Sequence, residues 1–381
     1  MTTMTQDEVI IIKIGGSSIT NKATEETLNQ HAIDWFAKLI SASVHTSFLF
    51  RDKEEQEQQE EENHATNEKR KTKPKFVVVH GAGSFGHHSA KRYGLQCGKA
   101  ALLKGGSLSP PTTAATDDDE KCKSNSSSSL QKRKRFQMEA LSKTRHSVQK
   151  LNAAMVKSLL DQGVNACTIS PGISLPGMRA YGRSCGSSSS SSSSSSSTTT
   201  DTNAISGNDG SIAAMELLCQ SINEALDAGL LPVVHGDACL LDENHAGILG
   251  GDTLVEGLVS SEKMKESVHK VIFISDIAGV FTSDPKINKD ARLIRSLKVD
   301  VTTGEVTIDD GDGDDAAEMD VSGSSHAHDV TGGLKAKLGA AVTAVQCGKE
   351  VVIAKCCSTS AEKYIQGESS AEEGTLISRK L

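Results

Sequence analysis

The sequence predicts an α/β fold, a three-layer α/β/α sandwich around a mostly parallel central sheet, from two observations. Short, unbroken β-branched runs recur along the chain, and between them lie longer amphipathic stretches that each stop at a glycine. Strands buried on both faces of a parallel sheet read as continuous apolar runs, whereas half-exposed strands alternate. Repetition of strand, loop, helix and strand then leaves helices to cover both faces of the sheet.

The strand-like runs are VIIIKI (9–14), FVVV (76–79), NACTI (165–169), PVVH (232–235), VIFIS (271–275) and EVVIA (350–354). Helical stretches cover 138–163, 211–229 and 331–348, closing on Gly163, Gly229 and Gly348. Glycine is the residue that best ends a helix, because it takes a left-handed backbone without a Cβ penalty. The ending GTLIS (374–378) completes the ordered blocks.

Only 36% of the 381 residues are hydrophobic, low for a compact domain of this length. Four polar segments account for the dilution: 51–73, 107–135, 187–200 and 309–325. None carries enough apolar surface to offset its ordering entropy, so each is expected to be a disordered surface excursion from a single domain over 9–378.

The net charge of −8 argues against a nucleic-acid binder, which needs a basic surface. Nine cysteines are scattered without zinc-type or disulfide-type spacing, and only Cys356 and Cys357 adjoin, so reduced thiols in the cytoplasm are expected. The N-terminal stretch has no secretory pattern, and Val9–Ile12 is far too short to span a membrane. The ending Arg379-Lys380-Leu381 bears only a loose likeness to a peroxisomal address.

Chemistry in such sheets sits at the carboxyl ends of the strands, and four polar clusters fall there. In KIGGSSITNK, Lys13 closes a strand, Gly15-Gly16-Ser17 turns, and Lys22 follows. Bare amides and two lysines suit an anion; a plain strand-to-helix turn with solvent-facing lysines fits the same residues. In HGAGSFGHH, the pattern Gly81-x-Gly83-x-x-Gly86 mimics a dinucleotide turn. A dinucleotide fold wants an acid about twenty positions on, at the end of the next strand; CGKAALLKGG offers neither acid nor strand. His87 behind the turn suits a phosphate monoester better, with His80 and His88 ranked lower.

The third cluster carries the steps Gly236-Asp237 and Gly251-Asp252 on either side of an expected hairpin, although Gly-Asp is also ordinary turn chemistry. The fourth joins Ser275-Asp276 to Thr331-Gly332-Gly333 and a helix bearing Lys335 and Lys337. Two glycine–lysine anion sites suggest a donor and an acceptor that both bear phosphate.

These motifs together resemble the amino acid kinase superfamily: K-x-G-G-S, a strand-end S-D-x-x-G-V, and a late D-x-T-G-G-x-x-x-K. Within it, H-G-A-G-S-F-G-H is similar to the isopentenyl phosphate kinases. The resemblance implies ATP with Mg²⁺ as phosphoryl donor and isopentenyl phosphate as acceptor. It implies an acceptor-binding half over about 9–235 and a nucleotide-binding half over about 236–378. It also implies a homodimer.

On matching positions, Lys13, Ile14, Gly15, Gly16 and Ser17 would hold ATP phosphates, and Lys22 would stabilise the transferring group. Ala82 and Gly83 would lie where acceptor meets donor, with His87 and Gly251 on the acceptor. Asp276, Gly333 and Lys337 would belong to the nucleotide site, and Asp237 would keep the lysines oriented. Ala82 stands where many relatives have glycine, Ser275 for a common threonine, and Phe281 for a common tyrosine; none removes a catalytic group. The alternatives are a relative acting on another phosphate, phosphonate or carboxylate, and a silent nucleotide sensor on the same scaffold.

Overall fold

Alternate residues of the first strand fall into different hydrophobic clusters, and this sets the layering. In the computed structural model, β1 (Val9–Ile14) places Val9 and Ile11 in one cluster and Ile10, Ile12 and Ile14 in the other. β2 (Lys75–His80) divides likewise, Val77 and Val79 against Phe76 and Val78. A strand apolar on both faces needs cover on both, so the sheet is the middle layer of a sandwich. The structure describes residues 8–57, 74–93, 95, 127–171, 209–240, 246–283, 285, 287–309, 318–319, 332–368 and 372–380.

Between and after these strands come α1 (Gly16–Ile19), α2 (Gln30–Glu57), α3 (Ser84–Tyr93), α4 (Ser127–Asp161) and β3 (Ala166–Ile169). Then follow α5 (Asp209–Asp227), β4 (Leu231–His235), the hairpin β5 (Asp237–Leu240) and β6 (Ala246–Leu249), and α6 (Gly251–Ser260). The remainder holds β7 (Val268–Ser275), β8 (Val280–Phe281), β9 (Leu293–Ile294), β10 (Ser296–Val299), β11 (Val306–Ile308) and β12 (Glu318–Met319). Last are α7 (Gly332–Gln346), β13 (Glu350–Lys355), α8 (Thr359–Ile365) and β14 (Thr375–Arg379).

The main sheet runs β12-β11-β10-β14-β13-β7-β1-β2-β4-β3. From β13 through β3 every neighbouring pair is parallel. Antiparallel pairing occurs on the other side, at β13–β14, β10–β11 and β11–β12. Residues of α5, α6 and α7 join one face of the sheet, while those of α2, α4 and α8 join the other.

All six expected strands form, and so do the hairpin and the helices closing at Gly163, Gly229 and Gly348. Those three glycines have φ of 78°, 74° and 79°, the left-handed backbone that ends a helix. Some expectations shift. β3 is an edge strand with no fully buried residue, because only β4 flanks it. α2 runs on to Glu57 and α4 begins at Ser127, so both helices enter segments expected to be excursions. β12 likewise forms inside 309–325, where pairing with β11 supplies hydrogen bonds that the acidic sequence does not advertise. The tract 187–200 lies outside the described residues.

Register brings the functional strand ends to one edge. Ile14 pairs with His80 and Ile274, and His80 with His235. The carboxyl ends of β1, β2, β4 and β7 are therefore level, and the loops beyond them share one space.

Candidate active site

Two glycine turns meet backbone to backbone at that edge. A methyl group on Gly16 would lie 2.1 Å from the amide nitrogen of Gly83, far inside contact distance. Gly83 itself has φ of +51°, and a methyl there would strike Thr20 Oγ1 and the Gly16 carbonyl. Only residues without Cβ allow this approach. The junction is then pinned by Thr20, whose hydroxyl donates to Gly16 O (2.7 Å) and accepts from the Ser84 amide (2.9 Å).

The turns do not offer every amide to a ligand. Gly15 N–H donates to Ile274 O (2.8 Å) and Gly81 N–H to Ile14 O (3.1 Å), holding the turns on the strand ends. Gly16, Ser17, Ala82 and Gly83 line the cleft, and among the described residues none of their amides is taken by a turn or loop hydrogen bond. Ala82 is not among the residues with positive φ, so its methyl leaves the turn unstrained.

The cleft above them has a volume of about 560 Å³, within the usual range for a small-molecule site. Lys13, Gly15, Gly16, Ser17, Lys22, Ala82, Gly83, His87, Gly251, Asp276 and Lys337 all line it.

Each lysine is held differently. Lys13 is buried on β1 and pairs with Asp252 Oδ1 at 2.7 Å. Lys337 is buried on α7 and donates to Ser275 Oγ at 2.6 Å. Burial, then the charge of Lys13, pushes its ammonium down to about 8. Lys22 is exposed, and its ammonium pairs with Asp276 Oδ2 at 3.0 Å. Burial alone would raise the Asp276 carboxyl, but the Lys22 hydrogen bond and charge outweigh it and hold it below its usual range.

His87 Nδ1 donates to Gly83 O at 2.7 Å, since a carbonyl can only accept. That leaves Nε2 of an exposed, cleft-lining ring for a ligand. His80 and His235 instead stack beneath the turns, with ring centroids 5.8 Å apart. Burial pushes both down, His235 to about 4, so they are neutral core histidines rather than anion ligands.

Three expected residues stand elsewhere or act otherwise. Ile14 is fully buried in the core, and its carbonyl serves the Gly81 amide rather than a phosphate. Gly333 is the second residue of α7, one turn before Lys337. Asp237 is a correction: it orients none of the three lysines. It is buried against Arg145, whose Nη1 lies 3.2 Å from Oδ2, and it accepts from Ser170 and from the Ala238 amide. Burial pushes its carboxyl up to about 6 despite that pairing. The acids on the lysines are Asp252 and Asp276. Asp252 was visible only as the second half of a Gly-Asp step; Arg145, within a helical pattern, gave no signal. The apolar stretch ISLPGM (173–178), where the resemblance would put a pocket for the acceptor's prenyl chain, lies outside the described residues.

A family model described as the amino acid kinase family matches residues 8–355. The chain is 25% identical over 374 residues to isopentenyl phosphate kinase of Arabidopsis thaliana, covering 94% of this chain and 90% of the relative. It is 26% identical over 375 residues to isopentenyl phosphate kinase of Methanothermobacter thermautotrophicus, covering 98% and 100%. A glutamate 5-kinase of Streptococcus pneumoniae matches at 25% over 162 residues, 42% of this chain and 37% of that one. Among solved structures, the product complex of T. acidophilum isopentenyl phosphate kinase shares the fold with a TM-score of 0.54 at 18% identity, covering 97% of this chain and 99% of that one.

Proposed function

The chain belongs to the amino acid kinase family, and from that premise we propose that it transfers the γ-phosphoryl group of ATP to isopentenyl phosphate, giving ADP and isopentenyl diphosphate. One observation carries the reading: two glycine turns touch at the strand ends while Lys13, Lys22, Lys337 and His87 line a single cleft around them. The near full-length relatives named for this activity support it.

The acceptor is a phosphate monoester, already largely dianionic at neutral pH because its second pKa is about 6. No general base is needed to make the nucleophile. The obstacle is repulsion between two polyanions, so catalysis reduces to positioning and charge neutralisation. Fixed amides at Gly16, Ser17, Ala82 and Gly83 form a cradle that needs no reorganisation as charge moves. Lys13, buried and ion-paired, and Lys337, buried and hydrogen-bonded, hold the donor phosphates.

Lys22 is the mobile charge. An exposed ion pair is worth only about 0–1 kcal/mol, so Lys22 leaves Asp276 easily and follows the phosphoryl group in flight. His87 holds the acceptor. With Nδ1–H committed to Gly83 O, its Nε2 can donate to a phosphate oxygen only when the ring carries both protons.

Mg²⁺ belongs to the proposal through the nucleotide. Among the described residues no cluster of three or more His, Cys, Asp or Glu side chains is placed to hold a metal ion. Mg²⁺ commonly keeps its waters and rides on substrate phosphates, where it screens their charge. We also place the reaction in the cytoplasm and the chain in a homodimer, on the family resemblance. No described helix is long and apolar enough to cross a membrane.

The test is ADP release with a panel of acceptors. Rapid turnover of isopentenyl phosphate, and none of glutamate or fosfomycin, supports the reading. Preference for glutamate would favour the carboxylate-phosphorylating relatives. No turnover of any acceptor, with ATP still bound, would leave a silent nucleotide sensor.

A further inference from the structure

At the back of the nucleotide side, three soft or nitrogenous groups gather that the phosphoryl-transfer chemistry does not use. β13 ends at Lys355, and the next two residues are Cys356 and Cys357. Successive side chains of an extended strand point to opposite faces, yet these two sulfurs lie 3.8 Å apart. The turn explains it: Cys357 has φ of 59°, one of two described non-glycine residues in the left-handed region. Cys357 is exposed, Cys356 half-buried, and both are free thiols. The imidazole Nδ1 of His31, at the start of α2, is 3.8 Å from Cys357 Sγ.

The spacing distinguishes between two fates for this pair. A disulfide needs sulfurs about 2.05 Å apart and Cα atoms usually about 4.4–6.8 Å apart. Neighbouring Cα atoms across a trans peptide are only about 3.8 Å apart, so a disulfide would close under strain. A tetrahedral ion with bonds of about 2.3 Å to each sulfur separates them by about 3.8 Å. The sulfurs already stand at the span of one bridging atom. With no third carboxylate, thiol or imidazole completing a cage among the described residues, the pair is a two-sulfur clamp.

We infer that Cys356 and Cys357 form a capture site for a thiophilic ion or trivalent arsenical, coupled to the nucleotide side of the cleft. With an organic arsenoxide the step balances simply. Two As–S bonds form, the As=O bond breaks, and its oxygen leaves as water with both thiol protons. His31 stands where it can take the Cys357 proton as that thiol attacks. The coupling runs through one hydrogen bond. The Cys356 amide donates to Ser275 O at 2.7 Å. Ser275 Oγ in turn accepts from Lys337, and the adjacent Asp276 accepts from Lys22. Capture locks the turn that holds the end of β7 in this one geometry, so that neither group can readjust around a nucleotide.

The chain carries its own reporter. Its single tryptophan, Trp35, sits on α2 one turn beyond His31 and donates to Glu362 on α8, the helix that follows the clamp. The experiment titrates the reduced full chain with phenylarsine oxide while following Trp35 fluorescence, intact mass and, by equilibrium binding, ATP affinity. Capture is expected as one equivalent retained with loss of one water, a change in Trp35 emission, and a several-fold weaker ATP affinity. A small dithiol should reverse all three, and a monothiol none. Cys357→Ser, at an exposed position, should abolish the fluorescence change and the retained equivalent. His31→Gln should slow capture several-fold. Unaltered capture by Cys357→Ser overturns the clamp, and an unaltered rate in His31→Gln overturns the proton-accepting role. Capture without loss of ATP affinity overturns the coupling. Only the coupling rests on the nucleotide-site reading; mass and fluorescence test the clamp even if no acceptor is ever turned over.

Discussion

The two turns of the cleft are built from the same material but stiffened by different means. The N-terminal turn, Gly15-Gly16-Ser17, is surrounded by charge: Lys13 on Asp252, Lys22 on Asp276, and Lys337 beside it. The second turn, Gly81-Ala82-Gly83, rests on neutral polar packing. Beneath it His80 meets Asn152 at 3.0 Å, and Asn152 reaches Thr168 at 2.8 Å. The one cation lining the cleft on this side among the described residues is His87, when doubly protonated. The contrast suits a triphosphate arriving with three or four negative charges against a monoester with two. On the proposed assignment charge density follows the substrate, while the contact between turns is set by missing Cβ atoms.

Breaking that contact should have the largest effect. In Gly16→Ala the new methyl would meet the Gly83 backbone at 2.1 Å, forcing the turns apart. A misplacement of 1 Å costs about 10²-fold in rate. With both substrates displaced, kcat/KM should fall by about 10⁴-fold. Steady-state kinetics measure it, and circular dichroism checks that the variant is folded.

Next comes the mobile charge. Lys22→Ala should lower kcat by about 10²–10³-fold, the usual cost of one lost donor to a developing charge, with little change in ATP affinity. A normal kcat would remove Lys22 from the chemistry. His87→Ala sharpens the comparison from the other turn. It should raise the acceptor KM by about ten- to a hundredfold, the worth of a hydrogen bond to a charged group, and leave the ATP KM unchanged. Equal losses for both substrates would show that the turns are not specialised.

A smaller effect is expected from pH. Lys337, held down at about 8 in the free protein, must be protonated to attract a phosphate. Below that pH the ATP affinity should be flat. Above it the free protein has lost the proton that the complex needs, so affinity should fall by about tenfold per unit. Lys337→Arg should move that break out of range in an equilibrium binding titration.

The smallest kinetic effect belongs to Asp237, which faces Arg145 and none of the lysines. Asp237→Asn should change kcat and both KM values only slightly, because its carboxyl is buried against Arg145 and does not line the cleft. Its signature is in stability. Its folded value of about 6 exceeds the ordinary 3.8, so the folded state binds this proton more tightly. The contribution to stability therefore grows as pH falls from about 6 to 4, by roughly 3 kcal/mol, and the Asn variant should lack that rise in denaturant melts.

Much of this molecule was legible before its structure. The strands at 9–14, 76–79 and 271–275 announced themselves because both their faces are buried, so apolar residues run unbroken up to the polar side chains near their carboxyl ends. Helix ends at Gly163, Gly229 and Gly348 were legible because a left-handed residue is locally expensive for anything else. Lys13, Lys22, His87 and Lys337 were legible because each sits a few residues from a glycine turn. α2 and α6 were missed: α2 runs on into charged sequence, and α6 is short and carries two glycines, which weaken a helical signal.

The sequence alone determined which side chains stand at strand ends, since local pattern fixes where a strand stops and a glycine turn begins. Tertiary structure alone decided how those ends are paired. Asp252 reaches Lys13 on β1 from the helix α6, Asp276 reaches Lys22 across 254 positions, and Asp237, the acid the sequence offered for the lysines, turns to Arg145 instead. Charge partners are chosen by distance in space and by what burial leaves unsatisfied, and neither quantity is written along the chain.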